Sequence, residues 1–172
     1  GSTQAVFPLP PPRPGHASPP SWLDGAVFYT LFLDRWHRSV HSPPSPQRSS
    51  RLDPSTPETF YGGDLDGVRE GLGYLEELGV DALVLTPVHR SSSPHRYDAV
   101  DLSTVDPALG GEAALQRLVE AVHQRKMRRV IDLAVTHVHE RHPAFADLLE
   151  NQERSPFASW FQVRRFPVRA RD

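Results

Sequence analysis

Arg129-Val130-Ile131-Asp132-Leu133-Ala134-Val135-Thr136-His137 is the stretch on which the reading of this chain turns. Val130, Ile131, Leu133, Ala134 and Val135 form a short run with no polar side, the pattern of a strand buried on both faces of a parallel sheet. Asp132 interrupts that run. A carboxylate among apolar neighbours costs several kcal/mol unless it is paired or hydrogen-bonded. Thr136 and His137 follow at the C-terminal end, where α/β folds place their chemistry. The expectation is a buried strand that delivers Asp132 and His137 to a site.

Working outward, two similar strands precede it. Ala26 to Trp36 is aromatic and branched enough for a buried strand, with Asp34-Arg35 as a local ion pair at its end; Ala82 to Pro87 is the second. Between them a helix is expected from an Asp66 N-cap, with Val68, Leu72, Leu75 and Leu78 on one face and Gly79 as its stop. The segment from His89 to Tyr97 reads as a polar loop. Gly110-Gly111 opens a second helix with the stripe Leu115, Leu118, Val119 and Val122. After the third strand, His142-Pro143 starts a helical segment carrying Phe145, Leu148 and Leu149, and Trp160 to Val168 reads as a strand and loop.

Strand, helix, strand, helix, strand implies parallel strands joined by right-handed crossovers. The strands recur roughly every 50 residues, against ~30 for an eight-fold barrel of ~250 residues. The excess falls after the first and second strands, in the loops that would build the active face of a βα barrel. The fold class is therefore α/β: the first three βα units of a (β/α)8 TIM barrel, incomplete in this chain. Residues 22–141 would be the N-terminal part of the barrel.

Composition excludes several classes. The 172 residues carry a net charge of −2, which gives no broad electrostatic case for nucleic acid or an anionic membrane. No apolar run approaches the roughly 20 residues that a membrane helix needs. The locally basic end (Arg154, Arg164, Arg165, Arg169, Arg171) reads as a solvated loop. With no cysteine there are no disulfides or thiolate metal sites; the compartment stays open, a cytoplasmic one being favoured. Twelve of the 18 prolines lie in the first 60 residues, so residues 1–21 read as a Pro-rich linker or the end of an upstream domain, Ala5-Val6-Phe7 being its last strand. Arg38 to Thr59 is a long polar loop, of the kind that is functional or disordered.

Six motifs then fall in order: Trp22-Leu-Asp-Gly-Ala-Val-Phe-Tyr29, Phe60-Tyr-Gly-Gly-Asp-Leu-Asp-Gly67, Leu83-Val-Leu-Thr-Pro87, His95-Arg-Tyr-Asp98, Val105-Asp-Pro107, and Val130-Ile-Asp132 through His137. Together the series resembles glycoside hydrolase family 13, the α-amylase family, and within it the cyclomaltodextrinase, neopullulanase and maltogenic amylase group. The resemblance runs from about Pro20 to Val168. It implies hydrolysis of α-1,4 or α-1,6 glucans, maltooligosaccharides or cyclodextrins by retaining double displacement. It places His95, Tyr97, Asp98 and His137 at substrate, with Tyr97 stacking on a sugar ring, and gives Asp132 a supporting role beside an arginine on the next strand. Flat aromatic faces suit the C–H face of a pyranose, and imidazole and carboxylate groups supply directional hydrogen bonds to hydroxyls.

The family's calcium ligands are mostly replaced. Thr136 stands where the family has Asn, and the loop after strand one offers His37, His41 and Asp53 instead of an Asn/Asp-rich segment, leaving Asp64 as the isolated calcium candidate. No cofactor is expected to be required. Residues 142–172 resemble the start of the family's inserted domain B. The family's catalytic carboxylates lie on later strands, so no catalytic residue is assigned in this chain, and the chain alone is expected to be inactive. The partners expected are the glucan or cyclodextrin and a complementary C-terminal polypeptide of the same enzyme, with a homodimer as a further assembly. Two rival readings remain at this point. One is a metal-dependent hydrolase built on His137, His139 and His142, since His is the commonest zinc ligand. The other is a fragment that binds glucan or a partner without catalysis.

Overall fold

A computed structural model describes residues 18–43 and 56–170; the readings of Ala5-Val6-Phe7, of the arm up to residue 17 and of Asp53 lie outside them. In chain order the elements are β1 (Phe28–Leu31), α1 (Leu65–Glu70), α2 (Leu72–Glu77), β2 (Ala82–Leu85), β3 (His89–Ser91), β4 (Ala99–Val105), α3 (Gly111–Gln124), β5 (Arg128–Ile131) and α4 (Pro143–Asn151). β1, β2 and β5 form a parallel sheet in that spatial order, with Leu31 level with Leu85 and Leu85 level with Ile131.

Register separates the two faces of this sheet. Leu31, Leu83 and Leu85 point to one side and meet Val68, Leu72 and Leu75 of α1 and α2 and Leu118 and Val122 of α3, all fully or almost fully buried. α1 also packs directly on α3. That helix-covered side is the core. The alternate positions Phe28, Thr30, Val84 and Val130 lie on the opposite side, where Phe28 is 44% and Val130 40% exposed. Among the described residues no helix layer covers this side.

Several expectations change here. The strand from Ala26 to Trp36 is shorter: after Leu31 the chain turns into a 3-10 helix, Leu33–Arg35. Asp34 is 1% exposed and its carboxylate accepts the amides of Tyr61 (2.8 Å) and Gly62 (3.0 Å), with Arg35 only at 3.9 Å. It is a buried anchor for the next segment as well as an ion-pair partner. The cap of the first helix is Asp64, which accepts from Gly67 N at 2.7 Å; Asp66 instead pairs with Arg69 and Arg117. The expected single helix breaks at Gly71 into α1 and α2, and Leu78 is 52% exposed. Gly79 does take the left-handed conformation of a helix stop, at φ 80°.

The polar segment after β2 is an antiparallel hairpin of β3 and β4, with register shifts on both sides of Arg90. The third strand is not buried on both faces: Leu133 is 46% and Val135 74% exposed, because β5 is the edge of the sheet and the chain leaves the ladder after Asp132. α4 starts as expected at Pro143, with the His142 imidazole accepting from Ala144 N. Trp160 to Val168 forms no strand: the 3-10 helix Ala158–Trp160 ends where the segment begins, and among the described residues no strand pairs with it. Among the described residues no helix is long and apolar enough to cross a membrane.

Candidate functional site

The C-terminal ends of β2 and β5 and the hairpin after β2 come together at one place. Asp132 follows the last residue of β5 and continues the ladder, its amide donating to Leu85 O at 2.9 Å. Its carboxylate Oδ2 accepts from the Tyr97 hydroxyl at 2.6 Å, and Oδ1 from Leu133 N at 2.9 Å. The carboxylate expected to be buried is only half-buried, and it is satisfied by a tyrosine 35 residues upstream. In return Asp132 holds the Tyr97 pKa above its ordinary value, first through this hydrogen bond, then through burial and charge repulsion. The phenol stays a donor over the whole neutral range.

His95 and Tyr97 lie side by side, ring centroids 5.9 Å apart and inclined by 28°. His95 Nδ1 accepts the Tyr97 amide at 3.1 Å. A neutral imidazole bonded in this way carries its proton on Nε2, which leaves a donor for a hydroxyl. Asp98 closes the turn: its carboxylate takes the Ser91 hydroxyl at 2.5 Å and the Ser93 hydroxyl, with His95 Nδ1 at 3.8 Å. Burial works to raise the Asp98 pKa, yet the two hydroxyls, its own amide and His95 outweigh that and leave it lowered. Asp98 thus braces the loop from within.

Arg96 is the residue that sequence reasoning missed. It adopts a left-handed backbone at φ 61° and turns its side chain inward, 4% exposed. Its guanidinium binds Asp106 through Nε (3.2 Å) and Nη2 (3.1 Å), and Nη1 donates to Pro94 O. Asp106 also caps the 3-10 helix Pro107–Leu109. This internal pair fixes the turn that displays His95 and Tyr97. The signal was present in the Val105-Asp-Pro107 motif, but nothing in sequence tied it to Arg96.

His137 is exposed, with the Thr136 hydroxyl 3.1 Å from its Nδ1. The structure does not bond it to Tyr97, His95 or Asp132. The metal-dependent alternative on His137, His139 and His142 is not supported. Nδ1 of His139 accepts from Arg141 N and Nδ1 of His142 from Ala144 N, and among the described residues no group of three His, Asp or Glu is arranged to hold a metal. A cavity of about 640 Å³ is lined by Phe60, Arg90, Ser92, Asp101 and Arg141 among others, and contains none of Tyr97, His95, Asp132 or His137. We place the candidate site by its side-chain chemistry at Tyr97 and Asp132.

The Asp64 position does not fit a calcium ion. Its Oδ1 is committed to the amides of Gly67 and Ser39, and a guanidinium nitrogen of Arg38 stands 3.6 Å from Oδ2. A hard dication needs six to eight oxygens and no cation beside it.

Comparisons with known proteins agree with one another. Residues 28–170 match the family described as alpha amylase, catalytic domain. A cyclomaltodextrinase from a Bacillus species is 35% identical over 156 residues, which are 90% of this chain and 28% of that protein. Neopullulanase 2 of Thermoactinomyces vulgaris is 38% identical over 151 residues, 87% of this chain and 26% of its own length. Among solved structures, a cyclic α-maltosyl-(1→6)-maltose hydrolase from Arthrobacter globiformis, in complex with that cyclic sugar, superimposes with a TM-score of 0.83 at 36% identity, covering 90% of this chain and 35% of its own. The chain thus spans between a quarter and a third of the length of these curated relatives.

Proposed function

The chain belongs to the α-amylase family of catalytic domains, whose fold here is a fragment of a (β/α)8 barrel, and from that premise we propose that it forms the N-terminal part of a glycosidase acting on α-glucans, maltooligosaccharides or cyclodextrins. The observation that carries this reading is the Tyr97–Asp132 pair at the ends of the parallel strands. A tyrosine ring pinned at its hydroxyl presents a fixed flat face, and a pyranose offers the matching C–H face. His95, with its free Nε2–H, supplies a hydroxyl contact beside that ring, and His137 supplies a second from the end of β5.

The proposed chemistry is retaining double displacement. It requires a nucleophilic carboxylate and an acid/base carboxylate about 5–5.5 Å apart. No residue of this chain is given either role; both belong to strands supplied by a complementary C-terminal polypeptide. Tyr97, His95 and His137 bind and orient the sugar, Asp132 holds Tyr97, and Asp98 holds His95. Residues 22–141 would then be barrel, and 142–172 the opening of an inserted domain.

The test is kinetic and uses the complete enzyme. Tyr97→Ala should lower kcat/KM on maltooligosaccharides or cyclodextrins about tenfold or more, with circular dichroism unchanged. Unchanged turnover would remove Tyr97 from the site. Glucan binding by the complete assembly without any hydrolysis would favour the non-catalytic reading.

A further inference from the structure

Arg38 sits between β1 and α1 with a side chain only 12% exposed. Its Nη1 donates to Gly62 O at 2.8 Å, and its Nη2 donates to Pro43 O. The same Nη1 lies 3.6 Å from Asp64 Oδ2. That oxygen is buried and has no hydrogen-bond partner, so the guanidinium is what offsets its charge. Two backbone carbonyls and a carboxylate gathered around one positive centre are the kind of oxygen set that a hard cation collects. Here the positive centre is a side chain of the same loop.

The surroundings show what this arrangement holds. Asp64 N donates to His37 O at 3.2 Å and Gly63 N to Asp34 O at 3.0 Å, so the Arg38 turn lies directly on the Gly62-Gly63-Asp64 segment. The approach is close enough that a Cβ on Gly63 would stand 2.1 Å from Leu33 O. Asp64 in turn starts α1 by capping Gly67 N. One guanidinium therefore ties the loop after β1 to the first turn of the following helix.

We propose that the Arg38 guanidinium is the built-in cation of this loop, and that it takes the place of calcium at Asp64. A dication would have to displace a covalently tethered charge from its own oxygens, and would then meet that charge at close range. The loop is held by an ion that chelators cannot remove.

The experiment is thermal unfolding of the protein in its complete natural form, in calcium and in excess EGTA, alongside Arg38→Met, Arg38→Lys and Asp64→Asn. The unsubstituted protein should melt at the same temperature in both solutions. Arg38→Met, which keeps an unbranched stem and removes the charge, should lower the midpoint by roughly 5 °C or more, and Arg38→Lys by clearly less. An Arg38→Met protein that fails to fold while Arg38→Lys folds supports the proposal equally. A calcium-dependent rise in the unsubstituted protein that Asp64→Asn removes would overturn it. So would an Arg38→Met midpoint equal to that of the unsubstituted protein, or equal losses in the Met and Lys variants.

Discussion

Tyr97 and Asp132 each solve the other's problem. Without the phenol, Asp132 would be a half-buried carboxylate at the end of an apolar strand; without the carboxylate, the Tyr97 ring would have no fixed orientation. The pair has a titration signature. The Tyr97 pKa is raised by the hydrogen bond to Asp132, then by burial and repulsion, so the stability it contributes is present below the ordinary tyrosine value of 10.0 and is lost as pH rises through the higher folded value. Ultraviolet titration of phenolate should therefore contain a late step that Tyr97→Phe removes. Asp132→Asn should bring that tyrosine back toward its ordinary range. If Tyr97→Phe removes no late step, the pair is not made in solution.

Between elements, the α1–α3 contact carries its own switch. Asp66 of α1 binds Arg117 of α3 at 2.5 Å and Arg69 at 3.1 Å, and the Arg117 hydrogen bond, against an opposing effect of burial, lowers its pKa below 3.8. A lowered carboxylate stabilises the fold above its unfolded pKa, and that contribution fades as pH falls through the folded value. The gap in melting temperature between the unsubstituted protein and Asp66→Asn should hold steady near neutrality and close below pH 4; a gap independent of pH would break the argument. A harsher change is Gly63→Ala, which drives a methyl into Leu33 O and should destabilise by about 1–3 kcal/mol in denaturant melts, an insensitive protein being the contrary result. These contacts also explain what could be read from sequence. β2 was legible because it is central and its apolar run is buried, and α3 because Leu115, Leu118, Val119 and Val122 repeat at helical spacing, although the fully buried line is Ala114, Leu118 and Val122. Asp64 and Asp66 flank Leu65 and are equally good caps on paper; the choice is made by Arg117, 51 residues away. The β3–β4 hairpin escaped because its residues are polar and its register is irregular, so no period of two survives. His95 and Tyr97 were legible as a motif, whereas the Arg96–Asp106 pair that poses them depends on a left-handed turn no periodicity reports.

At the scale of the whole molecule the decisive feature is the uncovered side of the sheet. Thr30, Val84 and Val130 lie level with one another across β1, β2 and β5, and Phe28 lies two residues before Thr30 on the same side of β1. In a closed barrel such positions point inward and are filled by side chains from the remaining strands, while β5 gains a neighbour along its free edge. Val130 and Tyr74 separate this reading from an open sheet. Both are substantially exposed here, at 40% and 58%, but Val130 faces the uncovered side of the sheet whereas Tyr74 lies on α2, on the helix layer. If further strands close the barrel, Val130→Asp places an unpaired carboxylate in its interior and should cost about 3 kcal/mol or more in the complete protein. Tyr74→Asp, on the outer surface, should stay within about 1 kcal/mol. Denaturant unfolding of the two variants measures the difference directly. Equal and small losses would mean that nothing covers this side of the sheet, and that β1, β2 and β5 work as an open platform and not as staves of a barrel.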